Sequence, residues 1–352
     1  MDINNLFKLA AEKGASDVHL LCGQPPILRI DGELIDINKL IPEANFDKLT
    51  ANNFNIFFET MLNLEQKSRL FDKRDLDLGY QVETYRYRVN FSYEKNNPMI
   101  VARVIDNKIP TLEEIGMPPV VKELLNLPQG FILVTGPTGC GKSTTLAAMI
   151  NHINDTRNAN IISLEDPTEY IFTPNKSIIA QRQLGTDMLT FSSGLKHILR
   201  QDPNVIMLGE MRDLETISTA VTMAETGHLV LATLHTYSAA QTIDRIIDTF
   251  PPYQQSQVKS QLSSVLSAVI SQRLLPRQKG GRIAAREILL NNEAVANLIR
   301  EGKIAQIKST IETNSNIGMV TLDRHIQQLY QRGEISREVA ERNMEDSRLL
   351  ES

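Results

Sequence analysis

With 352 residues and 41% hydrophobic content, the chain has enough apolar material for two domains, each with its own core. A net charge of −5 gives no global positive field to gather nucleic acid or anionic lipid, so binding of either would need a local basic groove. Only Cys22 and Cys140 are present, far apart in the chain, which argues against a disulfide framework or a cysteine-based zinc site.

The opening segment, Met1-Asp2-Ile3-Asn4, lacks the basic and apolar regions of a secretory signal, so the expected compartment is the cytoplasm. Ile3, Leu6, Phe7 and Ala10 fall on one helical face. Residues 16–21, 26–30 and 84–91 then cluster β-formers between Gly, Pro and Asp breaks, which predicts a small α+β unit. Arg86, Arg88 and Arg103 lie on strand-like segments there, with Arg86 and Arg88 on one face; by themselves they read as surface charge. Residues 106–119 hold three prolines and a glycine without a sustained period, so a connector is expected, with a boundary near Ile115.

Beyond it, apolar runs at 131–135, 161–164, 205–208 and 229–233 alternate with helical segments, predicting a mainly parallel sheet covered by helices. Even the longest of these runs, such as 131–134, is strand-sized and well short of the ~20 residues of a membrane-spanning helix. Leu146, Met149, Ile150 and Ile153 repeat at helical spacing after a glycine-rich turn. From about Leu290 the pattern becomes amphipathic helix, as at Leu322, Ile326, Leu329 and Tyr330. The expected division is residues 1–115, 116–290 and 291–352.

Gly136, Pro137, Thr138, Gly139, Cys140, Gly141, Lys142 and Ser143 match the phosphate-binding loop G-x-x-x-x-G-K-[ST], and Thr144 follows directly. The loop lies after a predicted strand and before a predicted helix, as the mechanism requires. Its glycines let successive backbone N–H groups and the helix N-terminus face phosphate oxygens. Lys142 would reach the β- and γ-phosphates of ATP, and the Ser143 hydroxyl would ligate Mg²⁺. Hydrolysis needs further groups. Glu210, just after the strand 205–208 and Gly209, would project a carboxylate from the sheet's C-terminal edge. A strand-capping surface glutamate is the plainer reading of it. Glu165 and Asp166 follow the strand ending at Leu164 and could hold Mg²⁺ or its waters, against the rival of an Asp-Pro turn. His228 and His235 bracket the strand 229–233, with His235 toward the loop's end of the sheet; an isolated histidine is more often packed or solvated.

Several segments, in order, resemble the secretion and pilus motor ATPases, and among them those that retract type IV pili: residues 14–20, Pro25-Pro26 and 29–32 near the start; Glu165-Asp-Pro-Thr-Glu169, similar to that family's Asp box; 209–216, similar to its Walker B region; 224–230 and 233–236, similar to its His box; and 282–287. The resemblance implies a RecA-like P-loop ATPase domain preceded by a PAS-like α+β domain and followed by a helical region. It implies ATP and Mg²⁺ as cofactors, Glu210 as catalytic glutamate, His228 and His235 as nucleotide sensors, and Arg88 and Arg103 as phosphate-facing arginines. A homohexamer whose domains rock as nucleotide turns over, working at an inner-membrane platform protein of the pilus machine, is also implied.

Two departures stand out. Cys140 occupies a position where relatives usually carry serine, so oxidation sensitivity is expected. Ala296 replaces an arginine in the segment Ala294-Val-Ala-Asn-Leu-Ile-Arg-Glu301, which bears on retraction more than on hydrolysis. Pilus assembly or type II secretion motors are the nearest alternative; they often carry an extra N-terminal domain and a cysteine-rich zinc insert. A DNA motor is disfavoured by the missing basic run, and a nucleotide-binding regulator by Glu210.

Overall fold

The computed structural model describes residues 2–30, 32–42, 46–105 and 108–351. Asp31 of the 29–32 motif, and Asp106 and Asn107 of the expected connector, lie outside the described residues. The chain forms two compact units, one from residues 1–108 with 167–171 and the other from 109–166 with 172–352.

In the first unit six antiparallel strands run in the order β3-β2-β1-β6-β5-β4, with β1 Asp17–Leu21, β2 Ile27–Ile30, β3 Glu33–Asp36, β4 Asp75–Val82, β5 Tyr85–Glu94 and β6 Asn97–Ile105. The helix Ile3–Glu12 starts where the Asp2 carboxylate accepts from the Asn4 N–H at 2.9 Å, which satisfies one donor of the first turn. Its buried stripe is Ile3, Leu6, Phe7 and Ala10, the face expected from the spacing. Phe7 stacks on the Tyr87 ring at 4.7 Å, and the Tyr87 hydroxyl donates to the Phe7 carbonyl at 2.7 Å, so this fully buried tyrosine keeps its polar end bonded. The helix Ala51–Met61 adds Phe54, Phe57 and Phe58 to the same core.

The second unit is RecA-like. Its seven strands run β13-β12-β7-β11-β10-β8-β9, where β7 is Gly130–Thr135, β8 Asn160–Glu165, β9 Ile178–Gln183, β10 Val205–Leu208, β11 Leu229–Leu234, β12 Leu266–Pro276 and β13 Arg282–Leu290. All neighbours pair in parallel except β12 and β13. Burial of Phe131, Ile132, Leu133 and Val134 at the centre removes four large side chains from water, each worth roughly 1.5–3 kcal/mol. The parallel arrangement collects the C-terminal ends of β7, β8, β10 and β11 along one edge.

The connector after residue 108 packs as part of this unit. Leu112 and Met117 are buried, and the Arg286 guanidinium on β13 donates to the carbonyls of Ile115 at 2.8 Å and Gly116 at 3.2 Å. Burial pushes that guanidinium down to about 10. Residues 291–352 also belong here rather than standing apart, because Ile326 and Leu329 of the helix Leu322–Gln331 share a core with Leu275 of β12 and Ala285 of β13. No helix among the described residues is long and apolar enough to cross a membrane.

Candidate nucleotide site

The loop of residues 136–141 joins the end of β7 to the helix Lys142–Thr156. Leu146, Met149, Ile150 and Ile153 of that helix are buried, so its axis is held by packing and its first turn by the loop. Gly136 is buried and its N–H donates to the Leu234 carbonyl at 3.3 Å, while Pro137 and Gly141 are half-buried and Thr138 and Gly139 form an exposed tip. The Cys140 N–H donates to the Pro137 carbonyl at 3.3 Å, closing the turn. Lys142 folds back over the loop, its ammonium donating to the carbonyls of Gly136 at 2.8 Å and Pro137 at 3.0 Å. Ser143 and Thr144, both half-buried, open the helix.

Glu210 is held by its neighbours. The Gly209 N–H donates to the Leu164 carbonyl at 2.8 Å, the Met211 N–H to the Thr233 carbonyl at 3.1 Å, and the Thr233 hydroxyl to the Gly209 carbonyl. Asp213 then caps the helix Leu214–Glu225 through the Thr216 N–H at 2.8 Å. The carboxylate so presented meets Arg212 at 2.8 Å and His235 Nε2 at 3.2 Å. Burial pushes the Glu210 carboxyl up, but Arg212, His235 and Lys142 outweigh it and hold the group below the ordinary glutamate value. His235 Nδ1 lies 3.4 Å from the Thr138 hydroxyl, so one imidazole spans the glycine loop and the glutamate.

The remaining sequence-derived residues divide. His228 precedes β11, six residues long, while His235 follows it; at about 3.3 Å per residue the two are roughly 23 Å apart along the strand. His228 Nδ1 sits 3.0 Å from the Met223 carbonyl, at the sheet end remote from this chain's own loop. Glu165 is buried, and one of its carboxylate oxygens accepts from the Ser163 hydroxyl at 2.6 Å and Gln181 at 3.1 Å, so that oxygen is engaged within the sheet. Asp166 is exposed and 3.9 Å from Arg212. In the first unit, Arg103 donates to the buried Asp17 at 2.8 Å, and Arg88 sits opposite Arg103 in the β5–β6 register, exposed. Arg86 donates to the Thr168 carbonyl at 3.2 Å.

Cys140 is buried, and burial pushes its thiol up from the usual cysteine value. A raised thiol is a poor nucleophile, so the oxidation sensitivity expected from its position does not fit its surroundings.

Sequence reading missed a set of side chains beneath the loop. The Gln272 amide on β12 donates to the Cys140 carbonyl at 2.8 Å and accepts from the Thr145 hydroxyl at 2.9 Å. Beside it a row of hydroxyls runs from Ser271 to Thr135 at 2.8 Å, Thr135 to Thr242 at 3.4 Å, and Thr242 to Thr236 at 2.7 Å. The available signal was Ser271-Gln272, which follow the apolar run Ala268-Val-Ile270 directly.

A glycine loop at the end of a central parallel strand, with a lysine, a carboxylate and an imidazole around it, is an arrangement suited to holding phosphate in a RecA-like domain. The type II/IV secretion system protein family matches residues 1–351, and the chain belongs to that family. It is 45% identical over 341 residues, 97% of each chain, to a Pseudomonas aeruginosa protein described as the type IV pilus retractation ATPase PilT. A twitching motility protein of Neisseria gonorrhoeae is 44% identical over 324 residues, 92% of this chain and 85% of the relative. A crystal structure of the pilus retraction motor PilT with bound ADP aligns over 100% of this chain and 99% of its own, at 41% identity and a TM-score of 0.91.

Proposed function

We propose that the chain hydrolyses ATP with Mg²⁺ to power retraction of type IV pili, as a homohexamer acting at the inner-membrane platform of the pilus machine. The observation that carries the reading is the convergence of Lys142, Glu210 and His235 on one glycine loop. The likeness to relatives described as a pilus retractation ATPase and a twitching motility protein supplies the mechanical output.

In this reading Lys142 exchanges two neutral carbonyls for phosphate oxygens, a stronger charge-assisted bond. Gly139, Gly141 and the helix N-terminus offer amides to the same phosphates. Glu210, kept ionised by Arg212 and His235, orients and deprotonates the attacking water. His235 senses the terminal phosphate through its place between Thr138 and Glu210. The Ser143 hydroxyl and the Asp166 carboxylate are hard oxygen donors that suit Mg²⁺, which prefers one or two protein ligands plus phosphate and water. Bound Mg²⁺ would neutralise charge on the transferring phosphoryl group. Arg88 and Arg103 are assigned to phosphate charge in the transition state, with Asp17 steering Arg103.

The test is steady-state turnover and ATP binding in three proteins. Lys142→Ala should lose binding, whereas Glu210→Gln should bind ATP and lose turnover by a factor of at least about a hundred. Equal turnover in wild type and Glu210→Gln refutes the assignment of the glutamate. In cells, loss of the gene should leave surplus pili and no surface motility; unchanged piliation favours a secretion or regulatory role.

A further inference from the structure

We infer that Gln272 is a positioning residue for nucleotide binding, setting the direction of the Gly141 amide from beneath the loop. This rests on the ATPase reading of the site. Gln272 is buried at 2% exposure in β12, next to the strand that carries the loop. Both ends of its amide are bonded, to the Cys140 carbonyl at 2.8 Å and the Thr145 hydroxyl at 2.9 Å. The orientation of the amide follows from chemistry: a carbonyl can only accept, so the NH₂ end must face Cys140, and the oxygen faces a hydroxyl able to donate.

A peptide unit is planar and trans, so its C=O and N–H point in opposite directions. By gripping the Cys140 carbonyl, Gln272 aims the N–H of the next residue, Gly141, away from β12. Thr145 is one turn into the helix Lys142–Thr156, and its N–H donates to the Gly141 carbonyl at 3.0 Å. Gln272 therefore fixes the loop and the helix start as one piece. Its main chain lies close against the other end of the loop, since its carbonyl oxygen would stand 2.3 Å from a Cβ at Gly136. One residue thus grips one end of the loop by its side chain and lies against the other with its main chain.

A brace of this kind acts on ATP affinity more than on the chemical step. Gln272→Met keeps the volume and removes both hydrogen bonds. In the full chain with Mg²⁺, its KM and Kd for ATP should rise about tenfold while kcat changes less than about twofold, at a temperature where circular dichroism shows it folded. Thr145→Val, which removes only the hydroxyl, should raise KM a few-fold, and adding it to Gln272→Met should raise KM no further. A folded Gln272→Met with wild-type KM and Kd overturns the assignment; if that variant fails to fold, a wild-type KM in Thr145→Val overturns it instead. Failure of the wild type itself to take up ATP in calorimetry would overturn the ATPase reading as well, which separates the two.

Discussion

Gly136 is the most constrained point of the loop, and replacing it by alanine gives a number to check. Its φ is +144, a region few residues other than glycine occupy, and an added Cβ would stand 2.3 Å from the Gln272 carbonyl oxygen and 2.6 Å from the Cys140 sulfur. The carbonyl belongs to β12, whose Ser271 pairs with Thr135 of β7, so it cannot move without disturbing two central strands. The unfavourable backbone costs about 1–3 kcal/mol, and forcing a methyl into a packed site about 1–3 kcal/mol more. Gly139 is the internal control, with φ +77 and no atom within 4 Å of an added Cβ. Gly139→Ala should cost only the left-handed backbone, roughly 1–2 kcal/mol. Urea unfolding of the full chain, followed by circular dichroism, should therefore place Gly136→Ala below Gly139→Ala by about 1–3 kcal/mol. Equal midpoints would mean that the carbonyl of Gln272 yields freely, and the account of a rigid brace under the loop would be wrong.

Three more outcomes follow from buried groups. His325 is pushed down to about 4, first by burial and then by Arg286, so the unfolded chain takes up its proton before the folded one does. Stability from this group is intact above the ordinary value of 6.5 and declines as pH falls toward 4, by about 2 kcal/mol between pH 7 and pH 5; His325→Gln should flatten that part of the pH–stability curve, and an unchanged slope counts against it. Peroxide at neutral pH should inactivate the wild type no faster than Cys140→Ser, because the thiol is buried and raised; protection by serine would show that the loop opens to oxidant. Arg286→Met strips donors from the Ile115 and Gly116 carbonyls, partly offset by removing a buried charge, and should destabilise the second unit by about 2 kcal/mol in denaturant titration; an unchanged midpoint would leave those carbonyls with no need of it.

What could be read in the sequence was local. The glycine loop, the strand before it and the apolar stripe of the following helix lie within about thirty residues, where spacing carries the signal. The four central strands were legible because each is buried on both faces and reads as an unbroken apolar run. β12 was not, for a physical reason: the helix Pro252–Val265 passes into it at Leu266 with no glycine or proline between, so the chain changes structure without punctuation. Glu165 is the last residue of β8 rather than a residue beyond it, and Ser163, two residues earlier on the same face, draws part of its carboxylate inward. The opposite placement of the two histidines was legible because both border one short apolar run, and β11 spans that run. Gln272 touches the loop across more than a hundred residues of chain, a distance over which no single-sequence pattern speaks.

The hydroxyl row beside β7 has a direction. Thr242 has one hydrogen to give, and the Ser238 carbonyl at 2.7 Å is its nearer and stronger acceptor than Thr135 at 3.4 Å. Thr242 must then receive from Thr236, so the hydroxyl of the residue after His235 is turned toward the protein interior rather than toward solvent. Valine at position 242 would have the same outline and none of this polarity, leaving the proton of Thr236 free to swing. The shape of the fold would survive such a change, but the choice of which way the Thr236 hydroxyl points would pass from the protein to the surrounding water.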